Sequence, residues 1–169
     1  MRAGNYRRIK GQPYTRKEFA RGFPPPKITK FVMGDTKKKF AYQLRLVACK
    51  PAQIRHNALE AARVAVNRYL SQNLSKNYCF RILPYPHVIL RENKMIFGAH
   101  ADRLQEGMRR AFGKPIGTAA RVRINQTIMI VNVDKEGIKV AREALRRGAA
   151  KLPIPCKTII SQVQQRKLF

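Results

Sequence analysis

AARVRINQTIMIVNV, residues 119–133, carries the clearest strand signal in the chain and decides its fold class. Val122, Ile124, Ile128, Ile130 and Val133 are β-branched, and such side chains suit a pleated, half-buried surface. The alternation slips around Gln126-Thr127, which predicts a bulge or a bend. Directly afterwards, residues 134–150 place Ile138, Ala141, Leu145 and Ala149 at helical spacing, an apolar stripe. Asp134 suits the N-cap of that helix and Glu136 the positive end of its dipole. Arg142, Arg146 and Arg147 fall on its exposed side. Pro153 and Pro155 stop it, and KTIISQV, 157–163, reads as a last strand.

On the N-terminal side, FAYQLRLVA (40–48) alternates, with Phe40, Tyr42, Leu44 and Leu46 on one face and Gln43 and Arg45 on the other. That is a half-buried strand. Residues 51–73 read as a first helix, with Pro51 at its first position. Ile54, Ala58, Ala61, Ala62, Ala65, Tyr69 and Leu70 form its stripe; Arg55, His56, Glu60, Arg63 and Asn67 take the outer face. His56 reads as a solvated residue with Glu60 as its i+4 partner. CFRIL (79–83) and Val88–Arg91 are strands parted by Pro84 and Pro86, which exclude one continuous central strand. His87 reads as structural.

The order arm, β, α, β, β, loop, β, α, β predicts an α+β two-layer sandwich. Two helices pack on a mixed, mainly antiparallel sheet, with room for one parallel crossover around each helix. We expect a single domain over 40–169, preceded by a basic extended arm over 1–39 and interrupted by a protruding loop at 99–117.

Charge narrows the function. Lys and Arg number 36 against 9 Asp and Glu, a formal net charge of +27. Such a chain repels itself and calls for a polyanion. The arm interleaves its cations with Tyr6, Tyr14, Phe19, Phe23 and Phe31, which suits RNA, where charges meet phosphates and rings stack on bases. Gly4, Gly11, Pro13, Gly22 and Pro24–Pro26 break any long helix there. The longest apolar run, 127–133, is far too short to span a bilayer, and the N-terminus has no apolar signal segment. Cys49, Cys79 and Cys156 form no C-x-x-C pair, so they read as reduced thiols, not a zinc site or a disulfide framework.

The stretch 91–123 is basic and punctuated by Gly98, Gly107, Gly113, Pro115 and Gly117. A loop of this length in a compact domain is functional or disordered. Ala101, Leu104, Met108 and Ala111 or Phe112 recur at helical spacing, with Asp102 as cap and Gly113 as terminator. Gly107 costs that short helix about 1 kcal/mol relative to Ala. Arg121 and Arg123 extend the basic surface onto the following strand. A phosphate loop is excluded, because five residues separate Gly107 from Gly113 and Pro115 stands where the hydroxyl residue belongs. No dinucleotide fingerprint follows a strand. Asp102 beside Arg103 invites comparison with RNA-modifying enzymes of the pseudouridine synthase kind. Those have a different residue order around their aspartate and a larger catalytic domain. Asp102 and Glu106 read instead as helix-shaping partners of Arg103, Arg109 or Arg110.

GAHADRLQEGMRRAFGKPIGTAARV (98–122) resembles the signature loop of the large-subunit ribosomal protein L-ten-e family, the archaeal and eukaryotic counterpart of bacterial L-sixteen. MRAGNYRRIKGQPYTRKEF (1–19), FPPPKITKFVMG (23–34) and PYPHVILRENKM (84–95) are similar to that family too, so the resemblance covers nearly the whole chain. His100 departs from it, where a small, glycine-like residue is expected.

The resemblance implies an α/β hammerhead-like fold and a non-enzymatic structural part in the large subunit, in the cytoplasm. Its implied partners are large-subunit rRNA, the tRNA acceptor arm and neighbouring ribosomal proteins, with no membrane, cofactor, metal or homo-oligomer. It also implies a place near the peptidyl-transferase centre, and entry late in subunit maturation. The rRNA-binding candidates are Arg2, Arg7, Arg8, Lys10, Arg16, Lys17, Arg21, Lys27, Lys37, Lys38, Lys39, Arg55, Arg63, Arg91, Lys94, Arg121 and Arg123. The tRNA-proximal loop would use His100, Arg103, Gln105, Arg109, Arg110, Gly113 and Lys114. A free RNA chaperone and an RNA-modifying enzyme are the alternatives.

Overall fold

Among the described residues, eight strands and three helices are formed, most of them following the alternation and stripes of the sequence with changes at their boundaries. The computed structural model describes residues 3–98 and 107–163. Its strands are β1 (Val32–Gly34), β2 (Tyr42–Ala48), β3 (Ala52–Arg55), β4 (Cys79–Ile82), β5 (Val88–Glu92), β6 (Lys114–Val122), β7 (Thr127–Val133) and β8 (Cys156–Gln162). Its helices are α1 (Ala3–Tyr6), α2 (His56–Leu74) and α3 (Ile138–Ala149), the last entered through a 3-10 turn at Lys135–Gly137.

The α+β class holds, but the strands form two sheets. One has the order β1-β4-β7-β2-β8 and the other β3-β6-β5. The mixed sheet expected from the sequence is corrected: every strand pair among the described residues is antiparallel. The reason is topological. β7 and β8 both pair antiparallel with β2, so they run parallel to each other around α3. β2 lies between them, and no parallel ladder forms.

Three further boundaries move. The run 119–133 is two strands in different sheets, parted at Arg123–Gln126. Asn125 takes a left-handed φ of 59° there. The turn is tied to the end of β2, whose Ala48 N–H donates to Gln126 O at 3.0 Å while Ala48 O accepts from Asn125 N–H at 2.9 Å. The phase slip therefore marks a change of sheet. The first helix begins at His56 and not at Pro51, because residues 52–55 pair with β6 in the register Ala52↔Val122 to Arg55↔Ala119. Its buried stripe is His56, Leu59, Ala62, Val66 and Leu70, rotated from the alanine row. Alanine carries too little apolar area to set the phase of a helix. Residues 114–117, expected within the loop, are the start of β6.

A single apolar core joins these parts. α3 packs against β2, β7 and β8, while α2 packs against α3, β3 and β6. Leu44, Leu46, Val66, Leu70, Phe80, Met129, Val131 and Leu145 are fully buried in it. Gly148 of α3 lies against Val66 of α2, and an added Cβ would collide with Val66 Cγ2. The small residue lets the two helices meet closely. Met33 of β1 packs on this core, so residues 32–34 of the expected arm are part of the main sheet.

Candidate nucleic-acid interface

The N-terminal segment crosses the three-stranded sheet as a strap. At one sheet edge, Gln53 N–H of β3 donates to Arg7 O at 2.8 Å. At the other edge, Ile89 N–H of β5 donates to Tyr14 O at 2.8 Å. Between them Arg121, on the central strand β6, donates through Nη2 to Lys10 O and Gly11 O at 3.0 and 2.7 Å. The buried Gln53 side chain adds donors to Tyr6 O at 2.8 Å and Arg8 O at 3.3 Å. Both open edges of the small sheet are thereby covered, which removes a liability of exposed strands. The strap's carbonyls point inward, while the side chains of Arg7, Arg8, Lys10 and Arg16 remain exposed. A cavity of about 300 Å³ lies between strap and sheet, lined by Tyr6, Lys10, Tyr14, Ile89, Phe112 and Arg121 among others.

The base of the long loop abuts the strap. Phe112 meets Tyr14 edge-on, with ring centroids 5.9 Å apart and planes at 76°. The Arg91 guanidinium lies 4.1 Å over the Phe112 ring, and its Nε donates to Gly113 O at 3.1 Å. A desolvated stack of this kind is worth about 2 kcal/mol or more, less where it is exposed. Gly113 has φ +72°, and a Cβ there would sit 2.5 Å from Asn93 N. Only glycine fits this reversal, so the loop leaves and re-enters at a fixed point. Met95 and Phe97 beside it are exposed, Phe97 at 92%.

Most of the predicted site residues fall into three groups. Arg7, Arg8, Lys10, Arg16, Arg21, Lys27, Lys37, Lys38, Lys39, Lys94, Arg109, Lys114 and Arg123 present exposed side chains. Lys38 also pairs with Asp134 at 2.8 Å. Arg55, Arg63, Arg91 and Arg121 are occupied within the fold. Arg55 lies 5.4 Å over the Tyr6 ring. Arg63 forks onto Glu60 at 2.6 and 2.8 Å, and the two side chains are only 16% and 25% exposed. That hydrogen bond holds the Glu60 carboxyl below its usual range and raises Arg63. Arg121 fastens the strap, and Arg123 lies past the end of β6, so the two do not share one strand. The third group is Arg2, His100, Arg103 and Gln105, which lie outside the described residues, as does Asp102, the expected cap of the loop helix. Lys17 and Arg110 belong to 3-10 turns, Lys17–Phe19 and Gly107–Arg110, and Gly113 is the reversal just described.

His56 is corrected from a solvated residue to a buried one. Its Nδ1 accepts the Lys27 N–H at 3.0 Å, and its ring backs onto Gly117, where a Cβ would stand 2.9 Å from Nε2. Burial first, and then the charges of Arg55 and Lys27, lower its pKa and keep it neutral. Glu60, its expected partner, is held by Arg63 instead. Gln53 is a site residue that the sequence does not mark, because 51–73 reads as one helix; the Ala52-Gln53-Ile54 alternation is its only local signal.

Among the described residues no helix is long and apolar enough to cross a membrane. The three cysteines are free, and Cys156, in strand register with Ala48 beside Cys49, has its thiol pushed up to about 11, chiefly by burial.

Comparison with known proteins adds a lineage to this geometry. The profile of the family described as ribosomal protein L16p/L10e matches residues 9–159. The chain is 59% identical over 148 residues to the large ribosomal subunit protein uL16 of Hyperthermus butylicus, covering 87% of this chain and 82% of that one. It is 54% identical over 158 residues to the uL16 protein of Thermoplasma acidophilum, covering 93% and 90%. With the uL16 protein of Methanococcus maripaludis the identity is 47% over 158 residues, covering 93% and 91%.

Proposed function

Because the chain belongs to the ribosomal protein L16p/L10e family, we propose that it is a structural constituent of the large ribosomal subunit in the cytoplasm, that it binds large-subunit rRNA through the strap face, and that the segment 99–113 before β6 helps position the tRNA acceptor arm near the peptidyl-transferase centre. One observation carries this reading. The strap spends its main-chain carbonyls on the small sheet and leaves its cations outward, beside the fixed base of the loop. A net charge of +27 makes that face costly to the free chain and favourable against phosphate. Rings and guanidinium planes at the loop base offer stacking surfaces of the kind used on unpaired bases. The role is one of position and charge, with no chemical step assigned to the chain.

The test is reconstitution. Tagged protein should co-sediment with large subunits through a density gradient at high salt. A photo-cross-linker replacing Arg109 should then reach tRNA when it is bound. Absence from the subunit fraction refutes the ribosomal assignment; rRNA cross-links that ignore added tRNA refute the tRNA role alone. Asp102→Asn is expected to leave rRNA modification unchanged, and loss of a modified nucleotide would favour an enzyme.

A further inference from the structure

The seam between α2 and α3 carries a second cationic site, away from the strap. A groove of about 610 Å³ runs there, lined by Arg68, Tyr69, Gln72, Arg146, Arg147 and Lys151, with methyl groups of Ala65 and Ala150 between them. Two of its cations are held by neighbours. The Arg147 guanidinium lies over the Tyr69 ring, 4.0 Å from its centroid. Glu143 holds Arg146 in a fork at 2.7 and 2.8 Å and reaches Arg147 at 3.0 Å. Four cations thus line a groove bordered by two helices, and Glu143 engages two of them, Arg146 and Arg147. Arg68 and Lys151 are exposed, and no carboxylate lines the groove beside them.

We propose that this groove is a second RNA-backbone site, taking a run of phosphates and letting the chain join two rRNA segments. The proposal rests on the rRNA-binding reading above but concerns different residues. The lining decides the class of partner. Protein interfaces are built around an apolar, charge-poor centre, whereas here the centre is guanidinium and ammonium over alanine methyls. Arg147 gives its Nε to Glu143, and the terminal nitrogens of a planar guanidinium suit phosphate geometry. Mere solubility would not need arginines fixed by a fork and a stack.

The test uses the full chain, purified large-subunit rRNA and the double variant Arg68→Gln, Lys151→Gln, beside Arg8→Gln, Lys10→Gln on the strap. Both variants remove exposed side chains, and unchanged melting confirms their folds. Two lost phosphate contacts should shallow the slope of log affinity against log salt by about 1.4–1.8. We expect that shift in each double variant. A groove variant with the parent slope, while the strap variant is altered, overturns the second site and leaves the proposed function standing. Parent slopes in both overturn both. Parent binding to bare rRNA together with weaker retention on complete subunits assigns the groove to an acidic protein surface and also overturns the proposal.

Discussion

The five-stranded sheet with its helices and the three-stranded sheet with its strap are held together by different means. The first is closed by large apolar side chains, with Leu44, Leu46, Phe80, Met129, Val131 and Leu145 all fully buried. The second buries small residues on β3 and β6, Ala52, Ala119, Ala120 and Val122, and has its larger ones in Ile54, Val88, Ile89 and Leu90. Its cover is a cationic segment fastened by hydrogen bonds to main-chain carbonyls. Such bonds contribute about 1 kcal/mol each, and less than buried area does over a whole sheet. The first half rests mainly on buried apolar area. The second is the half that gains most from a polyanion.

Substitutions can break that comparison. Phe80→Ala should cost the whole fold about 3–5 kcal/mol, read from denaturant unfolding; a loss confined to the small sheet would show that the halves are not divided as described. Gly148→Ala should cost about 1–3 kcal/mol, because α3 must move off Val66. In the other half, Gln53→Ala should loosen the strap by about 1 kcal/mol. The check is amide exchange: Gln53 and Ile89 should exchange faster while β7 is unaffected, and rRNA affinity should fall. Equal acceleration throughout would make the strap part of the global fold.

The smallest effect is a pH dependence at the junction of the halves. His56 has a folded pKa below its unfolded value, so the unfolded chain binds the proton more readily. The stability it contributes is complete above about pH 6.5 and is lost as pH falls through the lower folded pKa. Melting temperature should decline on acidification through that window, and His56→Gln should flatten the decline. An unchanged profile in the variant would remove His56 as its source.

Much of the larger half can be read in the sequence because its signals are local. Leu44 and Leu46 alternate, Ala141 and Leu145 sit one turn apart, and Pro84 and Pro86 force the chain from one sheet to the other. The smaller half hides because its strands are short or fused to neighbours. Ala52–Arg55 is four residues running straight into α2, and Val122 and Thr127 lie in one stretch rich in β-branched residues though they belong to different sheets. His56 shows no local sign of burial; Lys27, its partner, is 29 residues away. The charge pattern located the basic face, but it could not separate Lys10, which is exposed, from Arg121, which is spent on the strap.

The strap also bears on how the chain is made. Its residues leave the ribosome before the small sheet does, and their partners Gln53, Ile89 and Arg121 come 45 to 111 positions later. Contacts of such sequence separation are slow to form, since loop closure must precede the gain. During synthesis the segment waits as a loose, strongly cationic thread until β6 emerges. Any polyanion it meets in that interval competes with the chain's own sheet. Early capture by the wrong RNA would leave the edges of β3 and β5 open, so the timing of rRNA encounter is a folding variable for this protein.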